Sequence, residues 1–507
     1  MLKFIDNFLN RITMYRLILY YLLALLGIAI ALSFFGLIPL HPLPLIFTSI
    51  ILVAVCWLTN NFFAAFLQVP TNVESSLITG LILSLIIPPP SFASALFAIV
   101  PFLLWTSIWA MLSKYMVNIK NKHIFNPAAF GVALTALTMH QSATWWVGSA
   151  PMFIFVLLGA LLMIRKVRRF DAAISFIIVS LLTTIVFSLG SGHVISAVYK
   201  TIVSTSLIFF AAVMLTEPLT MPPTRRLRIV YAAIVGFLFS PQLQLGSLYF
   251  TPELALLTGN IFSYLVSPKG RYVLQLKDKI ASGTMIGDFV FATDRPMRFR
   301  PGQYMEWTLG LNHPDNRGNR RYFTIASSPT EDNLLLGVKF YPNSSTFKQR
   351  LSAMKYGEEI IASQVAGDFV LPRNKEKKLV FIAGGIGITP FRSMVKYLMD
   401  TNDQRSIVLF YSSKSADEIV YNDIFSQAKK IGLKTVYTLT DPQVPADWQG
   451  YQGYINAEMI TKEVPDYLER EFYISGSHTM VSDFKEMLKN LGVAKQNIKT
   501  DFFPGLA

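Results

Sequence analysis

The sequence predicts a multi-span α-helical membrane domain of about ten helices in a 5+5 inverted repeat, followed by a small β-barrel and an α/β doubly wound sheet. Three observations predict it. Hydrophobic residues are 52% of the 507 and charged residues only 15%, too apolar for a chain of this length to lie wholly in water. The charge is divided unevenly: residues 1–267 hold 14 Lys/Arg and 5 Asp/Glu, residues 268–507 hold 31 and 26, so the halves contribute +9 and +5 to the net +14. At Ser267-Pro268-Lys269-Gly270 the pattern changes from long apolar runs to short alternating segments punctuated by Gly and Pro.

The first run, Leu17 to Leu37, follows an amphipathic start carrying Lys3, Arg11 and Arg16, and is long enough to cross the hydrocarbon once. No signal-peptide cleavage pattern follows it. Further spans are expected near 45–67, 75–88, 91–113, 125–140, 150–164, 172–189, 195–214, 228–246 and 251–267. Several are short and contain or abut Pro and Gly, which a bilayer tolerates only where protein or a cavity satisfies the freed backbone. With ten spans and the N-terminus inside, Lys114, Lys120 and Lys122, Arg165 to Arg169, Arg225 to Arg228, and Lys269 with Arg271 all fall on one side. That pattern puts both termini and residues 268–507 in the cytoplasm, with the lipid bilayer as first partner. Because the first half's basic residues lie in short loops, nucleic acid is not an expected partner. Cys56, the one cysteine, excludes a disulfide framework and an all-cysteine iron-sulfur cluster, and no metal site is expected.

Pro88-Pro89 precedes Asn126 by 38 residues, and Pro222-Pro223 precedes Asn260 by the same interval, so the halves of the membrane region echo each other at an offset of 134. Five spans per copy would invert the second, and such repeats with interrupted helices build binding sites at mid-membrane. Asn126 and Glu217, polar groups at broken helices, are the candidates there, against a reading as local helix caps. Asp171 reads as an N-terminal helix charge. Thr144 reads as a loop residue beside an interfacial pair, Trp145 and Trp146.

The segments Phe125-Asn126-Pro127-Ala128-Ala129-Phe130 and Leu215-Thr216-Glu217-Pro218-Leu219-Thr220 resemble the flavin-carrying membrane subunits B of the sodium-translocating NADH:quinone reductase and D of the Rnf complex. The resemblance covers most of residues 40–267. It implies ten helices in two inverted halves and flavin within the membrane, FMN or riboflavin, contacted by Asn126 and Glu217. Two departures stand out. Glu217 replaces the family's usual Asp, and Gln141-Ser142-Ala143-Thr144 lacks the Asp-Gly lead of covalently flavinylated members, so a non-covalent flavin is expected rather than one linked to Thr144.

In the second half, alternating segments at 271–280, 283–293 and 303–309 suggest antiparallel barrel strands, and from about 376 the order becomes strand, glycine turn, helix, strand, helix. Leu379 to Ala383 runs into Gly384, Gly385, Gly387, Thr389 and Pro390, then a helix. Glycines let backbone N–H groups approach a pyrophosphate, and a helix N-terminus favours its charge. A structural tight turn is the alternative. Arg320-Arg321-Tyr322-Phe323-Thr324 sets cations, aromatics and a hydroxyl along one strand, suited to a flat ring and its phosphates or to a strand with one solvated face. Ser345 and Thr346 begin a helix whose free N–H groups suit a diphosphate, or are ordinarily capped.

Taken together, these residues resemble the ferredoxin-NADP reductase family in order and spacing over nearly all of 268–507. Pro301-Gly302-Gln303-Tyr304 looks like its Pro-Gly-Gln-Tyr strand, and Arg321-Tyr322-Phe323-Thr324 like its flavin motif. Gly384 to Pro390 looks like its nicotinamide-nucleotide motif. Ser475-Gly476-Ser477 with Met480 stands where the family has Cys-Gly-Pro and Met, and Asp501-Phe502-Phe503 resembles its aromatic C-terminus. The resemblance implies FAD on a barrel at 268–373 and NAD(P)H on an α/β domain at 374–507, with Ser475, Phe502 and Phe503 at the hydride-transfer site. Serine for cysteine implies slower or retuned transfer. Lys414, after the next strand, could pair a 2′-phosphate or be a solvated charge, so NADH versus NADPH stays open.

The expected function is a membrane-bound flavoprotein oxidoreductase, taking electrons from NAD(P)H through FAD to a membrane flavin and then to quinone or an extracytoplasmic acceptor. A redox-driven sodium or proton pump is an alternative, against which few acidic residues lie in the spans. A haem-based ferric-reductase type is another, which would need paired histidines where His41, His123, His140 and His193 are scattered near span ends.

Overall fold

The computed structural model describes residues 4–5, 8–9, 12–67, 73–90, 96–119, 122–240, 242–245, 248–268, 271–311, 315 and 319–501. The chain divides into two units, 1–269 and 270–507.

The first unit is helical: α1 (Met14–Phe34), α2 (Pro42–Phe66), α3 (Val73–Ile86), α4 (Leu96–Met116), α5 (Pro127–Met139), α6 (Phe153–Val167), α7 (Phe170–Ser188), α8 (Val194–Val203), α9 (Leu207–Met214), α10 (Arg225–Leu238) and α11 (Pro252–Val266). Starts follow local chemistry. Thr13 caps α1 by accepting from the Arg16 amide at 3.2 Å, and proline opens α2, α5 and α11, where its missing N–H has no partner to lose. Within helices, the hydroxyls of Thr48, Ser84, Thr106 and Thr135 donate to carbonyls four residues back, so they stay satisfied without water.

Among the described residues, five helices are long and apolar enough to cross a bilayer, namely α1, α2, α4, α6 and α7. A sixth counts if α8 and α9, bent by 55° at their break, form one span. The expected ten spans are therefore corrected to five or six. Helices do form in all ten predicted segments, but α3, α5, α10 and α11 have only 13 to 15 residues, about 20–23 Å of rise against about 30 Å of hydrocarbon. Apolarity along the chain does not report where proline ends a helix. In addition, Arg225, Arg226 and Arg228 lie inside α10 rather than before it. With the count lowered, the even-number argument no longer sets the side of the termini.

Helix pairings recur between the first five helices and the rest. The contacts α1 with α3, α2 with α3, α2 with α4 and α4 with α5 have counterparts in α6 with α9, α7 with α9, α7 with α10 and α10 with α11. Across the two sets, α1 meets α6 and α5 meets α11, each joining members of the same rank.

The second unit begins with an antiparallel sheet of β1 (Tyr272–Gly283), β2 (Ile286–Thr293), β3 (Tyr304–Thr308), β4 (Arg320–Thr324), β5 (Leu334–Lys339) and β6 (Glu359–Ala366), ordered β4-β3-β6-β1-β2-β5. Register shifts at Leu276/Asp278 and Ala281/Gly283 let the 12-residue β1 bend. Its end strands are bridged beyond β4, where Ala326 N donates to Leu335 O at 2.9 Å. The curved sheet encloses Leu274, Phe291, Trp307, Leu336 and Ile360, capped by Phe347 from α12 (Thr346–Ser352). Each such side chain, fully buried, contributes about 1.5–3 kcal/mol.

A parallel sheet follows: β7 (Leu379–Gly384), β8 (Ile407–Ser413), β9 (Leu433–Leu439), β10 (Tyr451–Gln452), β11 (Glu471–Ser475) and β12 (Ile498–Asp501), in the order β10-β9-β8-β7-β11-β12. Successive residues of β7 feed opposite cores: Leu379, Phe381 and Ala383 one, Val380 and Ile382 the other. Both faces are covered by helices, among them α13 (Thr389–Asp400), α14 (Asn422–Gln427), α15 (Ala457–Glu463) and α16 (His478–Asn490), which is why the run carries no polar alternation.

Candidate functional site

Strand order reverses between β7 and β11, so their C-terminal ends flank a crevice of the kind that binds nucleotides in open α/β sheets. Gly384 to Thr389 cross this crevice. Gly385 has φ +52° and open space where a Cβ would stand. A Cβ on Gly387 would lie 2.4 Å from the Ser475 carbonyl oxygen, and one on Gly384 would lie 2.1 Å from Met480 Sδ. Gly384, Gly387, Ser475, Gly476 and Met480 are thus pressed together because no side chain intervenes, while Gly385 stays open. Pro390 sits in the first turn of α13, and Thr389 Oγ1 donates to Ile386 O at 3.2 Å. Ser475 is buried, in register with Ala383 on one side and Asp501 on the other. Burial pushes the Asp501 carboxyl up to about 7. Phe502 and Phe503 lie outside the described residues.

On the antiparallel sheet, Tyr322 is exposed at 38% and its hydroxyl donates to Glu306 Oε2 at 2.9 Å, with Tyr304 edge-on at 5.8 Å. Thr324 is buried. Phe323 and Arg321 turn the other way, against Phe347, with the Arg321 guanidinium 5.3 Å from that ring. Arg321 also pairs with Asp315 at 3.4 Å, and Asp315 accepts from the Thr346 amide at 3.2 Å. Ser345 caps α12 by accepting from Lys348 N. The structure therefore gathers Arg321, Ser345 and Thr346 at one helix start. Asp315, which joins them, carries no sequence motif. These donors fit a flavin diphosphate: a fixed guanidinium beside helix-start amides, with aromatic strand residues adjoining.

In the helical unit, Asn126 and Glu217 meet. Asn126 Nδ2 donates to Glu217 Oε2 at 2.8 Å, while Asn126 Oδ1 caps α5 through the Ala129 amide at 3.1 Å, so the side chain is both a cap and a partner. Asn260 Oδ1 accepts from the Asn126 amide at 2.9 Å, and Asn260 Nδ2 donates to the Tyr231 hydroxyl at 3.3 Å. Glu217 follows a π-turn at Phe210–Met214, a distortion common at functional sites. A cavity of about 70 Å³ opens beside Asn126 and Glu217, lined also by Ser75, Thr79 and Thr216 and, on its apolar side, by Ile78, Ile82 and Val213. Behind its wall, Lys114 Nζ donates to Ser75 O, Ser75 Oγ and Thr79 Oγ1, each at 3.1 Å. An apolar face with a few convergent polar groups has the chemistry of a small-ligand site, but about 70 Å³ is well below the roughly 300 Å³ of an ordinary ligand pocket, so a flat ring would need the lining to move.

The structure adds to three expectations here. Trp145 is buried in the helical unit, with left-handed backbone (φ 55°), and its indole N–H donates to the buried Glu253 Oε2 at 3.0 Å. Asp171 begins α7 as expected but is more than a helix-end charge, since Arg228 Nε and Nη2 both reach its Oδ2 at 2.8 Å in a buried pair. Asp171 and Glu253 thus join Glu217 among the few acidic residues of the helical unit that have side-chain partners. Thr144 is exposed, its amide donating to Ile86 O. His41, His140 and His193 are exposed residues flanking helix ends, and the His123 side chain lies outside the described residues. Among the described residues no cluster of three or more His, Cys, Asp or Glu could hold a metal.

Residues 381–486 match the family described as oxidoreductase NAD-binding domain. The chain is 28% identical over 228 residues to the glycine betaine monooxygenase reductase subunit of Pseudomonas aeruginosa, covering 44% of this chain and 62% of that protein. It is 33% identical over 267 residues to the F component of the Na(+)-translocating NADH-quinone reductase of Yersinia pseudotuberculosis, covering 47% and 65%. The chain thus spans less than two thirds of the length of either relative. The solved Amycolatopsis cytochrome P450 reductase GcoB aligns at 20% identity and a TM-score of 0.43, over 47% of this chain and 71% of that one. The C-terminal half matches the ferredoxin-NADP reductase family.

Proposed function

We propose that this chain is a membrane-bound NAD(P)H-dependent flavin oxidoreductase. Residues 268–373 would hold FAD, 374–507 would hold NAD(P)H, and electrons would leave through residues 1–267. The observation that carries this reading is the crevice at the strand-order reversal, where Gly384, Gly387, Ser475 and Met480 crowd together and leave Gly385 open. When bound, FAD accepts two electrons as a hydride and releases them singly. Arg321 and the α12 amides would bind and orient its diphosphate, Tyr322 would offer a ring face to it with Tyr304 edge-on behind, and the α13 N-terminus would receive the nucleotide's pyrophosphate. The buried Ser475 keeps water from the reacting faces and presents a hydroxyl to the nicotinamide. Asp501, opposite it, and Phe502 with Phe503 complete the proposed hydride site.

In the membrane unit the proposal is a second flavin, FMN or riboflavin, held non-covalently where Asn126 and Glu217 line the cavity, within an inverted repeat whose pairings recur in rank order. Resemblance to the flavin-carrying membrane subunits of the sodium-translocating NADH:quinone reductase and the Rnf complex supports it. The acceptor is a membrane quinone or a group beyond the cytoplasmic membrane, and the nucleotide half lies on the cytoplasmic side, where NAD(P)H is available. A coupled ion movement gains some support from a further buried carboxylate, Glu253.

Acid extraction of flavin from the full-length protein in mild detergent tests this reading. FAD together with a second flavin, and anaerobic bleaching by NADH or NADPH, are expected. FAD alone would remove the membrane flavin and leave a reductase with an anchor, and no nucleotide-driven bleaching would end the reductase reading.

A further inference from the structure

Helix α13 does more than carry the nucleotide turn at its start. Four residues along its first turns touch the antiparallel sheet at three places. Thr389 Cγ2 lies 2.9 Å from where a Cβ on Gly337 would stand, and Met394 Cε lies 2.4 Å from the corresponding point on Gly302, whose φ is +90°. Ser393 Oγ donates to Ser327 O at 2.6 Å. Between them Arg392, 8% exposed, grips the segment that leaves the flavin strand: Nη1 donates to Ala326 O at 3.1 Å and to Glu331 Oε2, and Nη2 donates to Glu331 Oε1 at 2.8 Å. Glu331 in turn accepts from the Ser328 amide at 2.6 Å.

A two-pronged guanidinium pair fixes angle as well as distance, which a lysine would not. Arg392 stands three residues after Thr389, where the proposed pyrophosphate site begins, and Ala326 stands two after Thr324, where the proposed flavin motif ends. The pair is therefore a short polar tether between the element that would hold the nicotinamide and the element that would hold the ring. It also holds a second contact in place. The Arg392 guanidinium lies 5.8 Å from the Tyr421 ring, and the Tyr421 hydroxyl donates to the buried Asp288 Oδ1 at 2.6 Å.

We propose that Arg392, clamped by Glu331, is a positioning residue that sets the approach of the nucleotide turn to the flavin strand and thereby the rate of hydride transfer. The inference rests on the reductase reading above. In that transfer a C–H bond of the reduced nicotinamide breaks, an N–H bond forms on the flavin ring, and both electrons travel with the hydride. The nicotinamide is oxidised and the ring reduced, with no further reagent. Neither Arg392 nor Glu331 takes part in those bonds. A displacement of their clamp by a fraction of an ångström to an ångström lengthens the donor–acceptor distance, and such misplacements cost up to about a hundredfold in rate.

The test uses full-length protein in detergent, as wild type, Glu331→Gln, Arg392→Lys and Arg392→Met, each loaded with FAD. Single-turnover bleaching by NADH or NADPH, the charge-transfer absorbance of the nucleotide complex, nucleotide affinity and flavin content are measured. Amide exchange of peptides spanning 325–331 is measured on the flavin-free chain. Glu331→Gln, which keeps the shape of the side chain, is expected to slow bleaching about 10- to 100-fold and to weaken the charge-transfer band. Flavin content and nucleotide affinity should stay within about twofold. Exchange over 325–331 should rise, and Arg392→Lys should fall between wild type and Arg392→Met. Wild-type bleaching and absorbance in Glu331→Gln and Arg392→Met would overturn the inference alone. A wild type that binds FAD but bleaches with neither nucleotide would overturn the reductase reading and this inference with it.

Discussion

The backbone amide of Asn126 donates to the side-chain oxygen of Asn260 at 2.9 Å, a bond between residues 134 positions apart. That interval is the one at which the two halves of the helical unit echo each other in sequence, so the two asparagines that mark the echo meet in space. Asn126 opens α5 and Asn260 lies within α11, and these two helices are paired members of the two sets. Asn260 supplies the acceptor that a helix-start amide otherwise lacks in an interior without water.

Replacing Asn260 with Ala should therefore strand the Asn126 amide, while the Tyr231 hydroxyl keeps its bond to Leu215 O at 3.5 Å. A buried donor left without a partner costs about 1–3 kcal/mol. Thermal unfolding of the full chain in detergent should show a lowered midpoint for Asn260→Ala. An unchanged midpoint would mean that water reaches this site.

Arg321→Ala should lower bound FAD, since the guanidinium is the fixed cation at the α12 start. Charge-assisted hydrogen bonds contribute about 1.5–3 kcal/mol each, so the FAD dissociation constant should rise by one to two orders of magnitude. Equilibrium dialysis against FAD measures this directly. Asp315→Asn should have the opposite sign, because the Asp315 carboxylate now takes the Arg321 and Thr346 donors that a phosphate would use.

The Asp501 carboxyl, held up to about 7 by burial, gives the second unit a pH dependence of known sign. Its folded value lies above its unfolded value near 4, so its contribution to stability is full below about pH 4 and is lost as pH rises through about 7. Asp501→Asn should flatten that loss. The unfolding midpoint of the full chain, followed by flavin release between pH 5 and 8, should fall in wild type and change less in the variant. Parallel slopes would assign the dependence to another group.

Legibility differed between the two units for physical reasons. The strand, glycine turn and helix over 379–400 are local, set by backbone freedom and apolar periodicity, and they stand in the sequence as a pattern. Helix positions in the first unit are legible from apolarity, but their lengths are not, because prolines and capping residues bound α3, α5 and α11, and α10 begins at Arg225 inside the basic stretch. Asp315, Glu253 and the Arg392–Glu331 clamp carry no motif, and Asp501 stands in the sequence only as the lead of the aromatic tail segment. Apart from Arg321, six residues from Asp315, their partners lie 26 to 108 residues away, chosen by topology rather than by neighbours. Asn260 is visible in the sequence only as a repeat marker, and its bond to Asn126 required the structure.

The Asp171–Arg228 pair offers a further check on how the helical unit is held. Asp171 lies in the first turn of α7 and Arg228 in that of α10, with side chains 10% and 7% exposed, and Arg228 Nη1 also donates to Pro223 O at 3.1 Å. Two desolvated charges gain little over apolar residues of the same size, yet losing one leaves the other uncompensated, at about 3–5 kcal/mol. Asp171→Leu alone should therefore sharply lower the unfolding midpoint in detergent. The double change Asp171→Leu with Arg228→Met should recover much of it, because α7 and α10 would still pack through Phe176, Ser180 and Gly236. Arg228→Met alone should resemble Asp171→Leu. If the double variant is as unstable as either single one, Arg228 acts chiefly through the Pro223 carbonyl, and the segment leading from Glu217 to α10 depends on that bond rather than on the charge pair.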